Sequence, residues 1–195
     1  MDTIDRIIGI KDVNNVDYFA AALILLLESK STKYEIITTD DRQYYKSVGI
    51  EKNPKIDFLQ KHFIRARTIV NEYRGSNKQV DTQEQDWDSS VVKCVSDIDE
   101  VIKGRCKYID LLYKVGSEFD KSIDVSLEDI FAAGIIIELT YGTECCSKRN
   151  ITSFMESQFP VAALIVNNLT FSKNNDTLDA NIPSKQKCLG TGNNI

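Results

Sequence analysis

The chain has 195 residues, 42% hydrophobic and 27% charged, an ordinary balance for a globular protein with a core. Lys and Arg number 24 against 29 Asp and Glu, and a formal net charge of −5 argues against a molecule that binds polyanions over its whole surface. Three prolines and nine glycines are too few for an all-β sandwich with many tight turns, and five cysteines with one histidine and no Cys-x-x-Cys pair give a zinc site little to stand on.

The cysteines are Cys94, Cys106, Cys145, Cys146 and Cys188, and reduced thiols of an intracellular protein are the expectation for this odd count. Met1 is followed by acidic residues, so no secretory signal is read at the start. The sequons at Asn150, Asn168 and Asn175 are then chance matches.

Ile4, Ile7, Ile8 and Ile10 mark a first short helix. Asn14 or Asn15 caps the next, which runs to about Ser29 and is dense in apolar residues from Tyr18 to Leu27. That run is too short for a bilayer, which needs about 20 apolar residues. Lys33–Thr39 carries a weak strand signal without an evident partner, and a helix end or extended connector fits it equally. Asp40 or Asp41 is expected to cap a short helix holding Tyr44, Tyr45 and Val48 and closed by Gly49.

Asn53 followed by Pro54 starts a helix, because Asn caps well and Pro suits the first helical position. Ile56, Leu59, Phe63, Ala66, Val70 and Tyr73 then form one stripe, and Gly75 is expected to end the helix. Its other faces carry Lys55, Lys61, His62, Arg65, Arg67 and Arg74 against Asp57 and Glu72. A solvated face explains such a pattern; the functional alternative is contact with RNA or an acidic partner through Lys55, Lys61, Arg65, Arg67 and Arg74. His62 reads as a surface residue.

The polar stretch from Gly75 to about Asp86 reads as a flexible loop. Trp87, the only tryptophan, opens the next helix as a core residue or an interface anchor. Val91, Val95, Ile98, Ile102, Ile109, Leu112 and Phe119 keep helical spacing, with Gly104 as the expected interruption between two helices or at a kink. Asp97, Asp99 and Glu100 cluster without a histidine to make a metal site.

Ser126 and Asp129 have capping-box spacing, and Gly142 sits where a C-cap glycine belongs. Between them IFAAGIII has no polar face, which predicts a central helix sheathed by others. Gly134 costs about 1 kcal/mol there, so a close-packed neighbouring backbone is expected. A loop with Cys145 and Cys146 follows, and adjacent cysteines rarely bridge each other. Thr152 or Ser153 starts another helix, and Pro160 forces a kink or opens a last helix to Leu169. The remainder reads as a disordered tail, giving a helical domain over 1–170 and a tail over 171–195. The fold class is all-α: a single globular bundle of roughly seven or eight helices around the apolar one.

The apolar helix with Ala132, Ala133 and Gly134, the charged loop and the last apolar helix resemble the poxvirus Bcl-2-like family over Ser126–Leu169. The resemblance implies a viral modulator of host signalling or cell death in the host cytoplasm. The Asn-Trp-Gly-Arg motif of apoptosis-blocking members has no equivalent, which favours a surface face over a peptide groove. Asp120–Asp124, the Gly134 helix and Asn150–Thr152 also look like the core of the pneumovirus transcription antitermination factor, although the Cys₃His finger of that family is missing. That likeness implies RNA binding. No phosphate loop, dinucleotide fingerprint or nucleophile elbow occurs, so the expectation is a non-enzymatic protein-interaction module without cofactor or metal. Its expected partners are a host signalling or apoptotic protein, with RNA as the alternative, and a second copy of the chain.

Overall fold

A computed structural model describes residues 13–39, 42–77, 87–119, 123–141 and 149–172. Within them the fold is all-α with eight helices and one hairpin, and the chain divides into two compact units, Met1–Gly104 and Arg105–Ile195. The expected first helix, the Asp40 and Asp41 caps, the cap at Gly142 and the 173–195 part of the tail lie outside the described residues. Phe171 and Ser172 belong to the last helix.

Helix α1 (Asn15–Ser31) opens on a capping box. The Asn14 side chain accepts from the Asp17 amide at 3.2 Å, and the Asp17 carboxylate accepts from the Asn14 amide at 3.1 Å, which satisfies two orphan donors at once. Every residue from Val16 to Leu25 is buried, so the helix has no solvent face over that length.

A hairpin follows, β1 (Thr32–Thr39) paired antiparallel with β2 (Arg42–Ile50). The short helix expected over Tyr44, Tyr45 and Val48 is therefore a strand, and it is the partner that Lys33–Thr39 lacked on sequence reading. Tyr and Val favour an extended backbone, and their spacing fitted either period. The register places Ile36 opposite Tyr45 and Glu35 opposite Lys46, then shifts between Lys33 and Tyr34. Gly49, at φ 144°, adopts there a backbone conformation that side-chain-bearing residues avoid. The base of the hairpin is tied to the end of α1 by the Glu51 amide donating to the Ser31 carbonyl at 2.7 Å.

Helix α2 (Pro54–His62) starts as expected, with the Asn53 side chain accepting from the Lys55 amide at 3.0 Å. The single helix expected from Pro54 to Arg74 is broken at Phe63 (φ −118°, ψ 74°), and α3 (Ile64–Asn77) continues past Gly75 instead of ending there. The amide of Phe63 still donates to Leu59 and that of Arg67 to Phe63. The pitch survives the break, and all six stripe residues from Ile56 to Tyr73 are buried. Both helices pack on α1.

Helix α4 (Trp87–Arg105) buries Val91, Val95, Ile98 and Ile102. Gly104 lies inside it, and the break comes at Cys106, before α5 (Ile109–Glu118).

In the second unit α6 (Leu127–Tyr141) is the axle, buried without interruption from Ile130 to Ile137 and packed by α5, α7 (Arg149–Gln158) and α8 (Pro160–Ser172). Ser126 and Asp129 cap it reciprocally: the Ser126 amide donates to the Asp129 carboxylate at 2.9 Å, and the Asp129 amide to the Ser126 hydroxyl at 3.3 Å. Close packing occurs at Gly116 on α5, where an added Cβ would stand 2.7 Å from Ile130 Cδ1. Helix α7 starts at Arg149, ahead of the expected Thr152, and Pro160 is the first residue of α8. Among the described residues no helix is long and apolar enough to cross a membrane.

Candidate interaction face

Burying the Ile56–Tyr73 stripe against α1 turns the opposite side of α2 and α3 outward. Lys61, His62, Ile64, Arg65, Arg67 and Thr68 are exposed there on consecutive turns, and Ile64 is 62% exposed among the cations. The first turn of α3 holds no acidic residue, while Arg65 and Arg67 stand near its positive end, where the macrodipole disfavours cations. His62 rests on Phe58 with ring centroids 4.3 Å apart, an aromatic contact on the surface.

Of the five cations singled out from sequence, the structure gathers Lys61, Arg65 and Arg67 on this face. Lys55 is half-buried at the start of α2. Arg74 is withdrawn from the face, and its guanidinium pairs with the Glu28 carboxylate of α1. The other Glu28 oxygen accepts from Gln60 of α2 at 3.2 Å, so one buried carboxylate joins three helices. Burial pushes the Glu28 carboxyl above the usual carboxylate range, against the opposing pull of Arg74 and Gln60. Sequence reading missed Glu28 and Gln60. A signal existed for Arg74, which stands four residues after Val70 and so falls near the inward stripe.

Trp87, the other singled-out residue, opens α4. The side chain of Trp87 lies outside the described residues, as do Cys145, Cys146 and Cys188. Cys94 is buried; desolvation and the Asp97 charge push its thiol up, against a hydrogen bond with Tyr73. In the second unit Cys106 is buried as well, pushed up to about 12 chiefly by desolvation and then by the Glu138 charge. The Tyr108 hydroxyl donates to Glu138, and burial with that neighbouring charge raises it strongly. Both thiols and this phenol are thus held neutral. Asp99 pairs with Lys103 at 2.6 Å, and among the described residues no grouping of His, Cys, Asp and Glu could hold a metal ion.

No family model, curated protein or solved structure matches the chain.

Proposed function

We propose that the protein is a non-enzymatic interaction module, a viral modulator of host signalling or cell death in the host cytoplasm, which presents the outer face of α2 and α3 to a host protein. The observation that carries this reading is Ile64, an apolar side chain exposed on the same outward side as Lys61, Arg65 and Arg67, on helices that pack on α1. An apolar centre with a charged rim is the anatomy of a protein interface. The nucleophile-type groups Cys94, Cys106 and Tyr108 are buried and neutral, which suits scaffolding better than covalent chemistry. The host-directed role rests on the likeness of Ser126–Leu169 to the poxvirus family.

The test is quantitative recovery of host proteins on the tagged full chain beside an Ile64→Asp/Arg67→Glu variant of unchanged thermal stability. A partner retained by the wild type and lost by the variant supports the reading. Recovery that does not distinguish the two sinks it.

RNA binding in viral transcription or replication is the second reading, favoured by the same three cations. It requires RNA affinity that rises steeply as salt falls, and binding undetectable at low salt removes it.

A further inference from the structure

The hairpin poses a problem of its own. Alternate residues of a strand face opposite sides, and both Glu35 and Ile36 are exposed, the latter by 58%. Strand β1 is therefore uncovered on both faces at this point. Among the described residues the sheet contains β1 and β2 alone. A two-stranded hairpin is marginal in water and needs a third strand or a covering helix.

The two edges are not equivalent. Strand β2 carries Arg42 and Lys46, and the register shift leaves Val48 without an opposite residue beside Gly49. Cations and bulges are the devices that discourage an added strand. Strand β1 has Lys33 and Glu35, both exposed, on either side of Tyr34 in sequence. An antiparallel two-fold centred on Tyr34 sets Lys33 opposite Glu35 of a second copy, and Glu35 opposite the second copy's Lys33. Thr32 then meets Ile36. The same operation on β2, centred on Tyr44, would oppose Arg42 with Lys46. Lys33 also lies 3.5 Å from Glu51, an exposed pair that is easily exchanged.

We infer that β1 is a self-pairing edge: two copies of the chain join β1 to β1 around Tyr34 and form a four-stranded sheet ordered β2-β1-β1-β2. The occupant is a second copy because the charges of this edge complement themselves. No residue of the α2–α3 face takes part in this pairing, so self-association through β1 is independent of the function proposed above.

Sedimentation velocity of the full chain, from about 1 to 100 µM, tests it across the usual range of weak to moderate association. The wild type is expected to pass from monomer to dimer. Lys33→Glu makes both cross-strand pairs glutamate against glutamate, and Glu35→Lys makes both lysine against lysine. Each variant alone should therefore associate about tenfold more weakly, two like-charge pairs replacing two attractive ones. An equimolar mixture of the two variants restores an opposite-charge arrangement across the junction and should recover a heterodimer near wild-type strength. A wild type that stays monomeric throughout overturns the inference, as does a mixture that associates no better than its components.

Discussion

The guanidinium of Arg74, near the end of α3, closes on the carboxylate of Glu28 near the end of α1, two residues that stand 46 positions apart in sequence. The pair converts an apparent surface cation into an internal tie. Replacing Arg74 with Met leaves a buried carboxylate with Gln60 as its remaining side-chain donor. We expect a loss of about 3 kcal/mol in urea unfolding, the typical cost of stranding one member of a buried pair. Lys61→Ala and Arg67→Ala, on the exposed face, should stay within about 0.5 kcal/mol of wild type. The double change Glu28→Leu/Arg74→Met should recover most of the Arg74→Met loss, because an apolar replacement strands no charge. Equal losses in the single and double variants would show that the tie does not act as a pair.

Glu28 also gives the first unit a pH dependence of definite sign. Burial raises its folded value above the 4.5 expected of an exposed carboxyl, so the folded chain keeps this proton to higher pH than the unfolded one. Its contribution is then fully present below 4.5 and is lost as pH rises through the folded value. Glu28→Gln stays neutral throughout. The stability of wild type relative to Glu28→Gln should fall as pH rises from 4.5 through the folded value, read as urea midpoints. A relative stability that grows over that interval would mean that Arg74 and Gln60 outweigh desolvation.

What could be read from the sequence was local. Asn53 with Pro54, and Ser126 with Asp129, announce helix starts within a few residues, and the structure keeps both caps. The stripe from Ile56 to Tyr73 was legible because burial depends on period alone, and period survived the break at Phe63, which no proline or glycine marks. The hairpin was not legible, since Tyr44, Tyr45 and Val48 satisfy a helical and an extended reading until β1 supplies the ladder. On the candidate face, exposure sorted cations that sequence had treated alike: Arg67 remained outside and Arg74 turned to a carboxylate from a distant helix. The apolar centre at Ile64 went unnoticed because one isoleucine off the stripe is ordinary until its neighbours are known.

Cys94 and Cys106 should resist alkylation in the native protein. With the Cys106 thiol pushed up to about 12, only about one molecule in ten thousand carries the thiolate at pH 8, and burial bars the reagent as well. Peptide mapping after iodoacetamide treatment should find both residues unmodified in buffer and modified in denaturant. Native modification of Cys106 at the denatured rate would show that the segment joining α4 and α5 opens readily.

Two helical glycines should respond to alanine in opposite ways. At Gly104 on α4 a new Cβ meets nothing within 4 Å, so Gly104→Ala gains helix propensity at no steric cost and should stabilise by about 0.5–1 kcal/mol. At Gly116 on α5 the same atom would stand 2.7 Å from Ile130 Cδ1 and 3.2 Å from Val125 Cγ1. Ile130 is buried in the first turns of α6, and its terminal carbon must rotate or the helices must part. Overpacking of this kind costs about 1–3 kcal/mol, against a propensity gain of up to about 1 kcal/mol, so Gly116→Ala should destabilise by about 1 kcal/mol net. Trimming the obstructing side chain supplies the control: in an Ile130→Val background, which lacks the Cδ1 carbon, Gly116→Ala should cost less than it does in the wild type. An unchanged penalty in that background would assign the loss to the backbone of α5 instead of the contact with α6.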